Sequence, residues 1–357
     1  MKNCKQISAI LPLYEQVFVL SDANIASQIE ERIGQYGIHQ FPTLVLEATD
    51  SDKSLATVER IWSFLFDHHA TRKALLINIG GGFICDLGGF AAATYKRGID
   101  FLNIPTTLLA MADAAHGGKT GFNYRGLKNA IGLIRQPLAT LIDPAWLTTL
   151  DDRQILSGYA EILKCGLLDS PEAWLSAIRN LESGDFTSSL PMAIALKERI
   201  VAADEQEQGL RKTLNLGHTV GHALEELFAE QHNPLPHGFC VIYGLVAALY
   251  LSVIKLGLDP ALLTQITHLM VDFYSRPSCN CKDFDRLLSL TSSPSESLPS
   301  SGSDCSEKIL NLTLEDKKNA HSNVRAFTLL AAPGQPQINC PVSDSELREA
   351  LDYLFSA

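Results

Sequence analysis

The chain has few of the features that mark a secreted, membrane-spanning or nucleic-acid-binding protein. Charged residues make up only 19% of its 357 residues, and the formal net charge is −11. This excess of negative charge argues against electrostatic binding to nucleic acid or to anionic lipid. The first residues contain no signal-peptide pattern, and no uninterrupted apolar stretch reaches the roughly 18 residues of a membrane-spanning helix. We therefore expect a soluble, cytoplasmic protein.

The eight cysteines are scattered along the chain and form no CxxC pair. In a chain of this length, that distribution is typical of reduced thiols rather than of a disulfide framework. Cys279 and Cys281 lie close together, but no His/Cys pair accompanies them. We do not expect a metal site there.

The chain length favours about two domains, and the sequence pattern changes near residue 150. Before that point, four apolar runs alternate with amphipathic stretches and are predicted strands, at 16–20, 43–47, 74–79 and 101–104. Such alternation indicates βαβ units and a mostly parallel sheet. After it, helical patterns dominate, at 152–168, 171–182, 191–204, 213–228, 238–255 and 259–273, before a β-branched run at 325–331. The Ser- and Pro-rich segment 291–307 is predicted to be a mobile loop.

A glycine-rich turn follows the strongest predicted strand. Gly80, Gly81 and Gly82 come directly after that strand, and Gly88 and Gly89 lie in the next predicted helix. Glycines permit a sharp turn in which N–H groups at a helix start face a phosphate. The run is not the GxGxxG fingerprint, and a tight turn that needs no side chain explains it equally well.

Two charged residues and several histidines could carry chemistry. Glu161 and Lys164 lie three residues apart and so share one face of a predicted helix. Taken alone they favour a surface ion pair, although their apolar neighbours speak against it. His218 and His222 are one helical turn apart, and this spacing predicts that both coordinate one metal, by analogy with HExxH helices. His237 could supply a further donor, which would complete the donor set of a catalytic zinc site.

Basic residues cluster around these segments, although acids outnumber bases by 40 to 29. The cluster comprises Lys119, Lys128, Lys164, Lys197, Arg211, Lys317 and Lys318. It favours a small anionic substrate, whereas any one of these residues alone is explained as an ordinary solvated side chain.

Six ordered blocks of sequence resemble the 3-dehydroquinate synthases, which are sugar-phosphate cyclases of the shikimate pathway. The blocks are GGGFICDLGGFAAATYKRG (80–98), IPTTLLAMADAAHGGKTGFNYRGLKNAIG (104–132), GYAEILKCG (158–166), DEQEQGLRKTLNLGHTVGHALE (204–225), LPHG (235–238) and LEDKKN (314–319). The resemblance implies an α/β fold with a Rossmann-like, parallel-sheet NAD-binding domain over residues 1–150. An all-helical domain over 151–357 would bind substrate and a divalent metal, Zn²⁺ or Co²⁺. The active site is expected between the two.

The resemblance also implies an activity in aromatic amino acid biosynthesis. A 3-dehydroquinate synthase converts 3-deoxy-D-arabino-heptulosonate 7-phosphate to 3-dehydroquinate and phosphate, and NAD is not consumed. The alternatives are a cyclase that makes an inosose or a valiolone, a polyol dehydrogenase on the same fold, and a binding protein without turnover. His222, Lys119 and Arg211 favour dehydroquinate over the other cyclase products, and the filled catalytic positions argue against a protein without turnover.

Roles follow from the resemblance position by position. The metal ligands are implied to be Glu161, His218 and His237. His222 then matches an acid/base group rather than a ligand, and the other catalytic positions are Glu207, Lys164 and Asn215. Substrate contacts are implied at Arg97, Asp113, Lys119, Asn129, Lys197, Arg211 and one of Lys317 or Lys318. Contacts with NAD are implied at Asp22, Asn24, Asp50, Lys53, Gly81, Gly82, Asp86, Thr106, Thr107, Lys128 and Thr149.

Arg97 matches an arginine that reaches into the neighbouring subunit, which implies a homodimer. Three departures from the family pattern stand beside the matched positions. Cys85 replaces a usual glycine, Phe239 replaces an acid, and the run from Ala114 to His116 replaces a Ser-Ser-Ile run. We interpret the last two as variation within the family, whereas Cys85 could crowd the NAD pyrophosphate.

Overall fold

The computed structural model describes residues 2–47, 52–125, 127–230, 235–274, 302–315 and 325–356. They form two compact units, Met1–Leu150 and Asp151–Ala357.

The first unit is built on a four-stranded parallel sheet, which confirms the predicted fold class. Its strands are β1 (Gln16–Asp22), β2 (Thr43–Leu46), β3 (Ala74–Gly80) and β4 (Asp100–Pro105). They lie in the order β2-β1-β3-β4, with all three neighbouring pairs parallel. Its helices are α1 (Lys2–Ile10), α2 (Ala26–Tyr36), α3 (Leu55–Asp67) and α4 (Gly82–Thr94).

The core of this unit lies between the sheet and helices α3 and α4. Every residue of β3 is buried, as expected for a parallel strand covered on both faces. Ile61 and Leu65 of α3 and Leu87 of α4 are fully buried in the same cluster as Leu76 and Phe101 of the sheet. Full burial of each such side chain contributes about 1.5–3 kcal/mol. This packing fixes the carboxyl ends of the strands, where the predicted NAD residues follow.

An antiparallel hairpin that the sequence pattern did not predict packs against α4. Its strands are β5 (Lys119–Tyr124) and β6 (Leu127–Ile134). Most residues of β6 are exposed. Because neither face of β6 is buried, its sequence lacks the alternation of polar and apolar residues by which a strand is recognised.

Two glycines of α4 serve helix packing rather than a turn. A Cβ on Gly88 would lie 2.0 Å from Oδ1 of Asn78, and one on Gly89 would lie 2.5 Å from Cγ2 of Thr120. Asn78 is buried in β3, and its Nδ2 donates a hydrogen bond to Oδ1 of Asn103 in β4 at 3.0 Å. The helix backbone thus lies directly on a buried polar pair.

We expect Gly88→Ala to destabilise the protein by about 1–3 kcal/mol, because the added methyl group must displace Asn78 from its hydrogen bond. Gly34→Ala is the matched control, since Gly34 lies in the exposed interior of α2 with no atom within 4 Å of an added Cβ. That change should stabilise α2 by about 0.5–1 kcal/mol. Urea unfolding of both variants measures the difference, and an unchanged midpoint for Gly88→Ala would contradict the packing argument.

The second unit is mainly helical. Its helices are α5 (Asp152–Asp169), α6 (Pro171–Ser183), α7 (Leu190–Ala203), α8 (His218–Glu230), α9 (His237–Leu256), α10 (Pro260–Leu269), α11 (Gly302–Glu315) and α12 (Asp344–Ser356). The all-helical description needs one addition, an antiparallel hairpin of β7 (Arg325–Ala332) and β8 (Gln335–Val342). The β-branched run at 325–331 marks its first strand.

Two boundaries differ from the sequence-based expectation. Helix α8 begins at His218 rather than at 213, because Leu210–Asn215 forms a separate 3₁₀ helix and Gly217 takes a left-handed φ of 79°. Helix α11 begins at Gly302, so the loop predicted over 291–307 is wrong for its last six residues. Residues 291–301 lie outside the described part of the chain.

Helix α9 forms the centre of the second unit. Residues from Gly238 to Leu249 are buried without interruption, and the helix ends where Gly257 adopts a left-handed φ of 70°. Among the described residues, α9 is the one helix long and apolar enough to cross a membrane, and most of it is buried. A buried core helix can have the same length and apolar composition as a membrane-spanning helix, so these two properties alone are weak evidence for a membrane span.

Candidate active site

A carboxylate and two imidazoles converge where three helices of the second unit meet. Glu161 lies within α5, while His218 and His237 are the first residues of α8 and α9. The Oε1 atom of Glu161 lies 3.4 Å from Nε2 of His218 and 3.1 Å from Nε2 of His237. One ligand atom from each residue lies within 4.8 Å of the others. Among the described residues, this is the one such group of metal-binding side chains.

Lys164 neutralises the carboxylate of Glu161. Its Nζ lies 2.5 Å from Oε2, and both side chains are at most 2% exposed, so the pair is buried rather than on the surface. Burial alone would raise the pKa of the Glu161 carboxyl, but Lys164 and His218 outweigh it and hold the pKa well below its usual range. Because Oε2 is engaged by the ammonium group, Oε1 faces the two imidazoles.

The outer nitrogen of each imidazole has a partner that orients the ring. Nδ1 of His218 lies 3.2 Å from the carbonyl oxygen of Leu216, and Nδ1 of His237 lies 3.1 Å from Oε1 of Glu225. Burial, with Lys164, lowers the pKa of His218. Burial would also lower the pKa of His237, but Glu225 and Glu161 outweigh it and raise the pKa to about 10. Because each Nδ1 atom contacts its outer partner, both rings present Nε2 to Glu161.

These residues fit a divalent metal. Two imidazoles and one carboxylate form a common catalytic zinc donor set, and a partner on the second ring nitrogen is the usual means of orienting a histidine ligand. Tetrahedral zinc with ligands about 2.1 Å away needs donor atoms roughly 3.4 Å apart. The separations of 3.1 and 3.4 Å between Oε1 and the two Nε2 atoms are close to this value.

Direct contacts between helix backbones fix the ligand positions. The N–H of Gly238 donates to Oγ of Ser157 in α5 at 3.0 Å, and a Cβ on Gly238 would lie 2.0 Å from the Ser157 carbonyl oxygen. A Cβ on Gly244 of α9 would lie 1.9 Å from the carbonyl oxygen of Gly217. Helix α9 thus touches α5 and the start of α8 beside the residues that converge.

His222 lies next to this group but does not belong to it. Its ring centroid is 5.3 Å from that of His218 and 6.3 Å from that of His237. Unlike His218, it is exposed. The group of ligand atoms within 4.8 Å of one another comprises Glu161, His218 and His237 and does not include His222.

The loop before α8 brings together further predicted site residues. Nδ2 of Asn215 donates to Oε1 of Glu207 at 2.9 Å. The guanidinium group of Arg211 is buried and donates to the carbonyl oxygen of Glu205 at 2.6 Å. Lys197 is buried in α7. The second unit thus holds buried cationic side chains at Lys164, Lys197 and Arg211.

In the first unit, several predicted NAD residues lie at the carboxyl ends of neighbouring strands. Asp22 ends β1, Gly81 follows β3, and Thr106 follows β4. The N–H of Asn24 donates to Oδ1 of Asp22 at 3.0 Å, and the N–H of Thr106 donates to the carbonyl oxygen of Gly80 at 3.0 Å. In the order β2-β1-β3-β4, the strand order reverses between β1 and β3, which is where open parallel sheets bind dinucleotides. The residues present therefore fit NAD.

Lys53 links two further predicted residues. Its Nζ lies 2.6 Å from Oδ2 of Asp86 in α4 and donates to Oδ1 of Asn129 in β6. The carbonyl oxygen of Lys53 accepts the N–H of Asn123 at 2.8 Å. Lys53, just before α3, thus contacts both helix α4 and the hairpin of β5 and β6.

The remaining predicted residues are distributed over the first unit. Asp113 lies in the π-helical turn Ala110–Ala114, and Lys119 and Lys128 lie in the hairpin. Arg97 is exposed and takes a left-handed φ of 71°. The other described members are Gly82, Thr107 and Thr149. Asp50, Lys317 and Lys318 lie outside the described residues.

The departures from the family pattern are accommodated by burial. Cys85 is buried, and burial raises the pKa of its thiol, so the side chain is neutral. Nε2 of His116 lies 3.0 Å from the carbonyl oxygen of Met111. The ring of Phe239 packs edge-on against Tyr274 with 5.1 Å between centroids.

Comparison with known proteins identifies the family. The model described as 3-dehydroquinate synthase N-terminal matches residues 43–157, and the model described as 3-dehydroquinate synthase C-terminal matches residues 158–294. The 3-dehydroquinate synthase of Parabacteroides distasonis is 39% identical over 345 residues, which cover 95% of this chain and 91% of that protein. The chain belongs to the 3-dehydroquinate synthase family.

Solved structures share the fold. The 2-epi-5-epi-valiolone synthase of Streptomyces hygroscopicus subsp. jinggangensis, solved with NAD⁺ and Zn²⁺, has a TM-score of 0.78 at 24% identity, with 99% of this chain and 94% of that chain covered. A 2-deoxy-scyllo-inosose synthase, solved with carbaglucose-6-phosphate, NAD⁺ and Co²⁺, has a TM-score of 0.77 at 20% identity, with 98% and 94% covered. At such identities the likeness concerns the fold alone.

Sequence reasoning missed two residues that hold parts of the candidate site. Glu225, which orients His237, lies seven residues after His218 and so on the same face of α8, a spacing that could have revealed it. Asp204 holds the loop that carries Glu207 and Arg211, but its role depends on backbone contacts that no spacing rule indicates.

We expect Glu225→Gln to weaken Zn²⁺ binding by about 10- to 100-fold, because the negative charge beside His237 is lost while the side-chain shape is kept. Competition with a chromophoric chelator measures the change. Glu226→Gln on the exposed side of α8 is the control and should bind Zn²⁺ as the wild type does. Equal affinities of the two variants would contradict the role of Glu225.

Proposed function

We propose that the chain is a carbon–oxygen lyase that converts 3-deoxy-D-arabino-heptulosonate 7-phosphate to 3-dehydroquinate and inorganic phosphate. The observation that carries this proposal is the convergence of Glu161, His218 and His237 in a member of the 3-dehydroquinate synthase family. The higher identity to a dehydroquinate-forming relative than to the valiolone and inosose synthases supports this choice of product.

Each unit would hold one cofactor. Glu161, His218 and His237 would hold Zn²⁺ or Co²⁺, and the strand ends of the first unit, with Lys53 and Asp86, would hold NAD. When bound, the metal supplies Lewis-acid polarisation and NAD supplies reversible uptake of hydride. The domain boundary at residue 150, with NAD in the first domain and metal and substrate in the second, belongs to this proposal.

The chain's own residues would bind the anionic substrate and move its protons. Lys197 and Arg211 offer cationic groups to the phosphate and carboxylate of the substrate, and a guanidinium group can bind either in bidentate fashion. Their burial strengthens such contacts, because a region of low dielectric screens charge poorly.

Proton transfer would be assigned to His222 and to the carboxylate of Glu207. His222 is exposed beside the ligand group, so its ring can reach a bound substrate. The side-chain amide of Asn215 holds Glu207 by donating a hydrogen bond to its Oε1 atom. General acid–base catalysis of this kind contributes about 10²–10⁴-fold to a rate.

Assembly and location remain predictions. The exposed Arg97 would reach the neighbouring subunit of a homodimer, as the family resemblance implies. The substrate-contact roles of Asp113, Lys119, Asn129 and Lys317 have the same basis, as does a cytoplasmic location.

The deciding experiment supplies the heptulosonate 7-phosphate with catalytic NAD and Zn²⁺. We expect phosphate and dehydroquinate in equal amounts and no accumulation of NADH, because the reaction has no net redox change. Phosphate is followed by a colorimetric assay and NADH by its absorbance, with chelator-treated protein as the control. A polyol substrate that yields one NADH per turnover would instead identify a dehydrogenase.

Two alanine variants separate ligand from acid/base roles. We expect His218→Ala to lose bound zinc, because it removes one of three donors, and His222→Ala to keep zinc but lose about 10²-fold or more in kcat. Elemental analysis and steady-state kinetics measure both. His268→Ala, an exposed histidine of α10, is the control and should keep zinc and turnover. Zinc retained by His218→Ala would overturn the ligand assignment.

A further inference from the structure

One carboxylate organises the loop between α7 and the 3₁₀ helix. Oδ1 of Asp204 accepts the backbone N–H of Gln208 at 3.0 Å, and Oδ2 accepts those of Gly209 and Arg211 at 2.7 and 2.9 Å. These N–H groups, that of Arg211 first, lower the pKa of the Asp204 carboxyl. The chain from 204 to 211 is thus folded around a single side chain.

This loop carries two residues assigned to the reaction. Glu207 takes a left-handed φ of 58°, a conformation that costs a residue with a Cβ about 1 kcal/mol and persists only when surrounding contacts enforce it. The buried guanidinium group of Arg211 donates to Glu205 of the same loop, while the backbone N–H of Arg211 is held by Asp204. The conformation of both residues therefore depends on the same set of contacts.

The downstream end of the loop is anchored independently. Oγ1 of Thr328 in β7 donates to the carbonyl oxygen of Lys212 at 2.9 Å, and Asn215 holds the side chain of Glu207. Asp204 follows the last residue of α7. The segment from 204 to 212 is therefore held at both ends, and the Asp204 carboxylate binds the backbone N–H groups between them.

We propose that Asp204 is a positioning residue for the reaction assigned above, which holds Glu207 and Arg211 in one fixed relation before the substrate binds. The inference rests on the proposed function for the roles of these two residues. A carboxylate suits the task because it carries no proton and accepts from three converging N–H groups. An asparagine would turn an NH₂ group toward one of those donors.

The chain contains a matched carboxylate without site residues nearby in sequence. Oδ1 of Asp185, in the loop between α6 and α7, accepts the backbone N–H groups of Thr187 and Ser188 at 3.2 and 3.1 Å. Hydrogen bonds to Ser188 and Thr187 lower its pKa as well. Because these bonds all go to Oδ1, an asparagine oxygen can keep them, so Asp185→Asn measures the effect of removing the charge of a loop carboxylate without removing an acceptor.

The test compares Asp204→Asn and Asp185→Asn in the zinc-loaded enzyme. We expect Asp204→Asn to lower kcat by about 10- to 100-fold, because a displacement of about 1 Å in a reacting group costs on the order of 10² in rate. Its zinc content should equal that of the wild type, since Asp204 contacts no ligand. Asp185→Asn should show wild-type kcat and KM. Wild-type kinetics in Asp204→Asn, or an equal loss of kcat in both variants, would overturn the proposal.

Hydrogen exchange tests the loop without using the reaction. The amides of Gln208, Gly209 and Arg211 should exchange at least tenfold faster in Asp204→Asn than in the wild type, while those of α9 stay protected and show that the variant is folded. Unchanged exchange of the three amides would overturn the proposal. A wild-type enzyme that is inactive on the heptulosonate 7-phosphate would instead refute the proposed function, and the exchange result would still decide whether Asp204 holds the loop.

Discussion

The buried carboxylate of Glu161 is the constraint on which the arrangement of the second unit depends. A buried charge is strongly unfavourable unless it is paired and hydrogen-bonded. Lys164 supplies the opposite charge from the same helix at 2.5 Å, which leaves the other carboxylate oxygen to the imidazoles of His218 and His237. Because His218 and His237 are the first residues of α8 and α9, both helices begin where these side chains reach that oxygen.

The two units form their candidate sites by different physical means. In the first unit, the parallel sheet brings the ends of β1, β3 and β4 together, and the site residues follow the strands. In the second unit, side chains at helix starts converge, and outer partners such as Glu225 and the Leu216 carbonyl group set the direction of each ring. Net charge does not reveal such a site, since an overall charge of −11 coexists with buried cations at Lys197 and Arg211.

Much of the fold could be predicted from the apolar pattern, because β1, β3 and β4 are almost continuously buried runs and most helices bury an apolar stripe. The start of α8 could not, since the break depends on the left-handed φ of Gly217. Motifs placed Glu161, His218 and His237 on three segments that the structure brings together. Helical spacing alone paired His218 with His222 instead, because spacing describes one helix and the group draws on three. The roles of Glu225 and Asp204 were missed, because the first depends on a contact with a histidine of another helix and the second on local hydrogen bonds to backbone N–H groups.

The contacts of Gly238 with Ser157 and of Gly244 with Gly217 bear on how the protein would take up the proposed metal. The Cβ positions of Gly238 and Gly244 lie against the backbone carbonyl oxygens of Ser157 and Gly217, so close packing of the polypeptide backbone sets the spacing of the three donors. In small zinc domains the ion organises an otherwise unfolded chain, and binding and folding are one event. Here the polypeptide can complete its folding first and take up the ion afterwards. Under the proposed function, removal of the ion would abolish turnover without unfolding the protein.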